Sequence, residues 1–237
     1  MSDKIIGIAF LPGYVSQELF AKILSAGSQA LEQSRKLDEY GISLREVFGL
    51  YVLVKFREFL DKKDKWAFTT EPAISDDGAV ISLRDNREVA YSELIEQVFL
   101  PGNFLKRYEN ENLTDFILRE IEGLKVKDRG FEYAKNKSLF ILSDLSSVSI
   151  SDSFQWTDFV LAFFSRDTFL HVYVLGLAGC SNKGNEYHFL SFSNQKHRQK
   201  LNGQFIFNLT TDGVSNFRCI QKMNLLEPKD NLIDRFR

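Results

Sequence analysis

The sequence predicts a mixed α/β protein, a sheet with strands of both directions, flanking helices and a β-rich C-terminal portion. Three observations predict it. A 17-residue apolar run at 44 to 60 follows a helix-start signal; short alternating segments bounded by turn residues come next; and aromatic-rich alternating runs fill the chain beyond Ser146. With 237 residues, 44% hydrophobic and 26% charged, and only four prolines, the composition supports a sizeable core and excludes the disordered class.

Taken in order, the run IIGIAFL after Lys4 reads as a strand or buried arm, since it ends at Pro12-Gly13 and lacks a small-residue cleavage site. Residues 16 to 39 read as a helix, with Ser16 as N-cap and Leu19, Phe20, Ile23, Leu24 and Leu31 on one face. Ser43 and Glu46 form a capping box for LREVFGLYVLVKFREFL, which is apolar nearly all round and therefore a packed spine of the domain. WAFTTEP, AVISL and YSELIEQVFL read as strands separated by SDDG and DNRE turns. Thr114 caps a second core helix, DFILREIEGLKVKDRGFEYA, and SLFILSDL is a fourth strand. The later runs FVLAFF, FLHVYVLGLAG, EYHFLSF, QFIFNLT and FRCIQKM all read as β. With no linker rich in Pro, Gly or Ser, residues 1–237 read as a single domain: a helical segment at 1–42, a core at 43–145 and a β-rich extension at 146–237.

Several function classes fall away on composition. A net charge of −2 supplies no global attraction to nucleic acid or anionic membranes, so any such contact must be local. The basic clusters are Lys62, Lys63 and Lys65; Lys125, Lys127 and Arg129; and Lys196, His197, Arg198 and Lys200. Cys180 and Cys219 make neither a disulfide framework nor a zinc ribbon, which suits a cytoplasmic protein, and no apolar run is long enough to span a bilayer. No P-loop, dinucleotide fingerprint or G-x-S-x-G elbow occurs, so no nucleotide cofactor is expected. His171, His188 and His197 match no zinc spacing. The 22 phenylalanines read first as core filling and second as a partner surface.

One carboxylate stands out. Alternation places Ser92, Leu94, Glu96, Val98 and Leu100 on one face of the third strand and Glu93, Ile95, Gln97 and Phe99 on the other, so both faces are largely apolar. An interior Glu96 must be paired, protonated or metal-bound. Pairing with Arg119, or a place at the wet end of the strand, would satisfy it structurally. Asp77-Gly78 reads structurally as a hairpin turn.

The order helix, three strands, helix, strand, with SDDG leading into the second strand and IEQV on the third, resembles the PD-(D/E)xK nuclease superfamily over residues 43 to 145. The resemblance implies a restriction-endonuclease-like core in which Asp77 and Glu96, nineteen residues apart, hold Mg²⁺ or Mn²⁺ against a phosphodiester. It also implies a basic group on the phosphate, for which Arg119 and Lys125 on the following helix are the candidates. The pattern departs from the family at Val98, where a lysine is expected, and at Pro72, which stands five residues before Asp77. A chain that has lost catalysis while keeping such a fold would act as an interaction module or accessory subunit, docking a protein partner. A third reading places a site in the β-rich half around His171, His188 and Asp158.

Overall fold

The computed structural model describes residues 44–69, 77–83, 89–100, 119, 134–143, 157, 160–161, 164, 169–181, 184–194, 201–210 and 213–223. These comprise one long helix, α1 (Leu44–Leu60), and eight strands: β1 (Lys65–Thr69), β2 (Gly78–Leu83), β3 (Val89–Leu100), β4 (Lys137–Ser143), β5 (His171–Ser181), β6 (Gly184–Ser193), β7 (Gly203–Thr210) and β8 (Gly213–Lys222). The strands are hydrogen-bonded in chain order in a mixed sheet. The expected mixed sheet is therefore present, but the described residues are mainly β. The helix read at 16 to 39 and most of the one read from Thr114 lie outside the described residues, as does Ser43 of the capping box. Two compact units divide the chain, residues 1–97 with 209–217 and residues 98–208 with 218–237.

In the first unit α1 is buried on nearly every side, as its unbroken apolar character requires. Val47, Phe48, Leu50, Val52, Leu53, Val54 and Phe56 are each at most 2% exposed. The helix ends with Asp61, whose N–H donates to the Arg57 carbonyl and whose carboxylate accepts from the Lys63 N–H, turning the chain into β1. β1, β2 and β3 are antiparallel, with Phe68 opposite Val80 and Val80 opposite Glu93. A register shift between Ser82 and Leu83 marks a bulge at the far end of the hairpin. Phe217 packs on the helix, its ring centroid 5.9 Å from Phe56 and 5.7 Å from Phe59. The Val214 N–H donates to the hydroxyl of Tyr51, which burial pushes above its ordinary pKa, with that hydrogen bond acting in the opposite sense.

In the second unit β4 is wholly buried, as a short continuous apolar run predicts for an interior strand. It pairs in parallel with β5, and β5 pairs antiparallel with β6. Parallel neighbours require a long crossover. Within that crossover Thr157, Val160, Leu161 and Phe164 are helical, which corrects the reading of FVLAFF as a strand. Six apolar residues cannot reveal their period, because so short a run suits a buried strand and a buried helix equally. Aromatic side chains then tie adjacent strands together: Tyr173 stacks on Phe189 at 5.8 Å, Tyr187 on Phe207 at 5.3 Å, and Phe189 meets Phe205 at 6.4 Å. All of these rings are at most 4% exposed, so they fill the core rather than forming a docking surface.

Candidate functional site

The β2–β3 ladder brings the two predicted metal ligands onto one hairpin. Gly78 pairs with Ile95, so one step further along the antiparallel register Asp77 stands across from Glu96. Asp77 is half-buried, and its Oδ2 accepts the Gln97 backbone N–H at 2.6 Å, continuing the ladder where β2 begins. Glu96 is 1% exposed. The wet end of its face lies at the opposite end of the run, where Ser92 is exposed and Leu94 half-buried. Arg119 is exposed, and Lys125 lies outside the described residues.

Carboxylates are suitable donors for Mg²⁺ or Mn²⁺, but such an ion keeps several waters and needs open space around it. Glu96 is enclosed, and one Asp77 oxygen is engaged by the Gln97 N–H. Among the described residues, no group of three or more His, Cys, Asp or Glu side chains is placed to hold a metal.

The buried ion pair of the hairpin is on the other face. Gln97 Nε2 donates to the Glu46 carbonyl at 2.9 Å, which turns the Glu93, Ile95 and Gln97 face of β3 toward α1. There the Arg57 guanidinium bonds directly to Glu93 Oε2, with side-chain exposures of 5% and 2%. The same guanidinium lies 5.6 Å from the Trp66 ring and 6.0 Å from that of Tyr91. Those two rings meet edge to face at 6.1 Å, and the Tyr91 hydroxyl reaches Glu93 Oε2 at 3.5 Å. Arg57 and Glu93 were legible individually, as charges within apolar runs, but nothing in their spacing of 36 residues linked helix to strand. In this cluster the buried charges of Arg57 and Glu93 satisfy one another, with the two rings around them.

His171 and His188 do not converge, and His197 lies outside the described residues. His171, fully buried, occupies a cross-strand row with Ser138 and Ser193. His188, five residues before Ser193, therefore points to the opposite face of β6. It is half-buried, and burial lowers its pKa from the usual 6.5 while Glu186 pulls the other way. Asp158, the third member of that reading, is outside the described residues.

The most open described element is β8, the last strand of the sheet order. From Arg218 to Lys222 every residue is exposed, and Ile220, at 52%, is the large hydrophobic exposed among the described residues. Arg218 and Lys222 flank it on the same face. The sequence reads FRCIQKM simply as β; Arg218 and Lys222, four residues apart and so on one face of a strand, were the available sign that this face is solvated.

No family model and no curated protein matches the chain. Among solved structures it is similar to the central domain of yeast acetyl-CoA carboxylase, with 9% identity and a TM-score of 0.36, over 66% of this chain. The chain spans 25% of that protein's length. A likeness this loose carries no inference about activity. No helix of the described residues is long and apolar enough to cross a membrane.

Proposed function

We propose that this chain is a non-catalytic interaction module or accessory subunit that binds a protein partner. The observation carrying this reading is the exposed outer strand β8, with Ile220 at 52% exposure between two basic residues. An exposed strand end bearing an apolar side chain is a template for strand addition. The enclosure of Glu96 and the engagement of Asp77 with Gln97 lend support, because they leave the family-like acidic pair without the access a nuclease needs. Two cysteines, with Cys219 exposed as a free thiol, suit the reducing cytoplasm that this reading assigns to the protein.

A second reading is favoured by the β2–β3 register alone, which puts Asp77 across from Glu96. It is metal-dependent phosphodiester cleavage in a PD-(D/E)xK-like manner, with Asp77 and Glu96 holding Mg²⁺ or Mn²⁺ and Arg119 or Lys125 on the phosphate. It requires the surroundings of Glu96 to open.

A cleavage assay separates the two. Folded wild-type protein, Asp77→Asn and Glu96→Gln are incubated with plasmid, single-stranded DNA and RNA, with Mg²⁺, Mn²⁺ or chelator. The module reading expects no cleavage by any of them. Metal-dependent cleavage that disappears in both variants would replace it with the nuclease reading.

A further inference from the structure

We infer that the outer edge of β8 takes up an extended protein segment with an acidic, any, apolar, any, acidic pattern, added as a neighbouring strand. The inference rests on the module reading and names the chemistry of its partner. Backbone groups of alternate strand residues point to opposite edges. The Met223 N–H bonds to the Asn202 carbonyl on the β7 side. Counting back, the donors and acceptors of Lys222, Ile220 and Arg218 point to the outer edge.

The side chains of those same three residues share a face, so an added strand finds a fixed sequence: positive at Arg218, apolar at Ile220, positive at Lys222. No carboxylate among the described residues pairs with either Arg218 or Lys222. A strand carrying acids at its outer positions and a branched apolar residue between them meets all three directly across the ladder. Self-pairing with a second copy does not meet this demand: β8 carries no acidic residue, so no register against another β8 gives Arg218 or Lys222 a carboxylate, and two-fold registers centred on Arg218, Ile220 or Lys222 bring basic residues against each other. Nucleic acid matches the charges but not Ile220, and it does not use paired backbone donors and acceptors.

The test uses the full chain and fluorescent peptides read by anisotropy. The probes are an extended peptide with an Asp-Thr-Val-Thr-Asp centre, its Lys-Thr-Val-Thr-Lys counterpart, the acidic peptide N-methylated at alternate backbone positions, and a single-stranded oligonucleotide. The acidic peptide is expected to bind saturably, and N-methylation to abolish that binding. Arg218→Glu with Lys222→Glu is expected to weaken it at least about fivefold and to transfer preference to the basic peptide, as loss of two cross-strand charge pairs requires. Both positions are exposed strand surface, so the double variant keeps the core intact.

The inference is overturned if acidic and basic peptides bind alike, if N-methylation has no effect, if the oligonucleotide binds in place of the acidic peptide, or if none binds. The chain's own sequence carries the same pattern at Asp230, Leu232 and Asp234. Binding that appears only after Asp230→Lys and Asp234→Lys would assign the edge to that segment and overturn an external partner. These outcomes leave the cleavage assay untouched, so failure of the partner chemistry is distinguishable from failure of the module reading.

Discussion

Arg57 and Glu93 show how a charged pair becomes tolerable inside a small core. Their attraction alone does not repay desolvation; the Tyr91 hydroxyl and the faces of Trp66 and Tyr91 surround the pair and satisfy it. Removing one partner leaves the other charged and enclosed. We expect Arg57→Met or Glu93→Leu alone to destabilise the fold by about 3–5 kcal/mol, and the two together to recover most of the loss. Urea unfolding of the three variants gives the coupling energy, and additive losses in the double variant would show that the pair acts as two independent charges. Glu96, the residue the sequence made conspicuous, sits on the opposite face of the same strand. The period-2 pattern located both carboxylates correctly on β3, but face assignment needed the position of α1, which no local pattern contains.

At the scale of elements, strands were the most legible. Each of β1 to β8 falls on a segment whose alternation or apolar run announced it, because burial of one or two faces leaves a direct imprint on composition. The exception, FVLAFF, was misread because a short apolar run suits a buried strand and a buried helix equally. Its resolution came from β4 and β5 being parallel, a long-range fact that obliges the intervening chain to cross over. Asn202-Gly203, between the runs EYHFLSF and QFIFNLT, likewise carries no local pattern that marks its role. In the fold Asn202 Oδ1 accepts the Ser193 N–H at 2.6 Å, and Gly203 opens β7 where another strand's backbone comes close. A Cβ on Gly203 would stand 2.8 Å from the Gln221 carbonyl oxygen and 3.2 Å from the Phe205 ring. Neither is free to yield, since one is backbone and the other a buried ring. Gly203→Ala is therefore expected to cost about 1–3 kcal/mol by thermal or urea unfolding; an unchanged midpoint would mean that β8 shifts outward without resistance.

For the whole molecule, composition anticipated a mainly buried aromatic population and no global field, and neither pointed to a chemical activity. The candidate site was legible as residue types at a spacing, whereas access to it depends on what encloses Glu96, which is a property of the assembled fold. Stability against pH is another property of that kind, and His188 allows its sign to be worked out. Burial lowers the folded-state pKa below the 6.5 expected of the unfolded chain, so between those values the unfolded chain binds a proton that the folded chain does not. The contribution of a neutral, half-buried His188 is thus complete above about 6.5 and is lost as pH falls from there toward the folded value. Glu186 limits the effect by favouring the charged ring. His188→Gln removes the titration while keeping a polar side chain of similar reach. The wild-type urea midpoint should fall between pH 7.5 and pH 5.5 by more than that of His188→Gln, the difference isolating this residue from the carboxylates that titrate in both proteins. Equal falls would mean that the imidazole accepts its proton as readily in the folded protein as in the unfolded one, and that its half-buried place on β6 imposes no cost on charging.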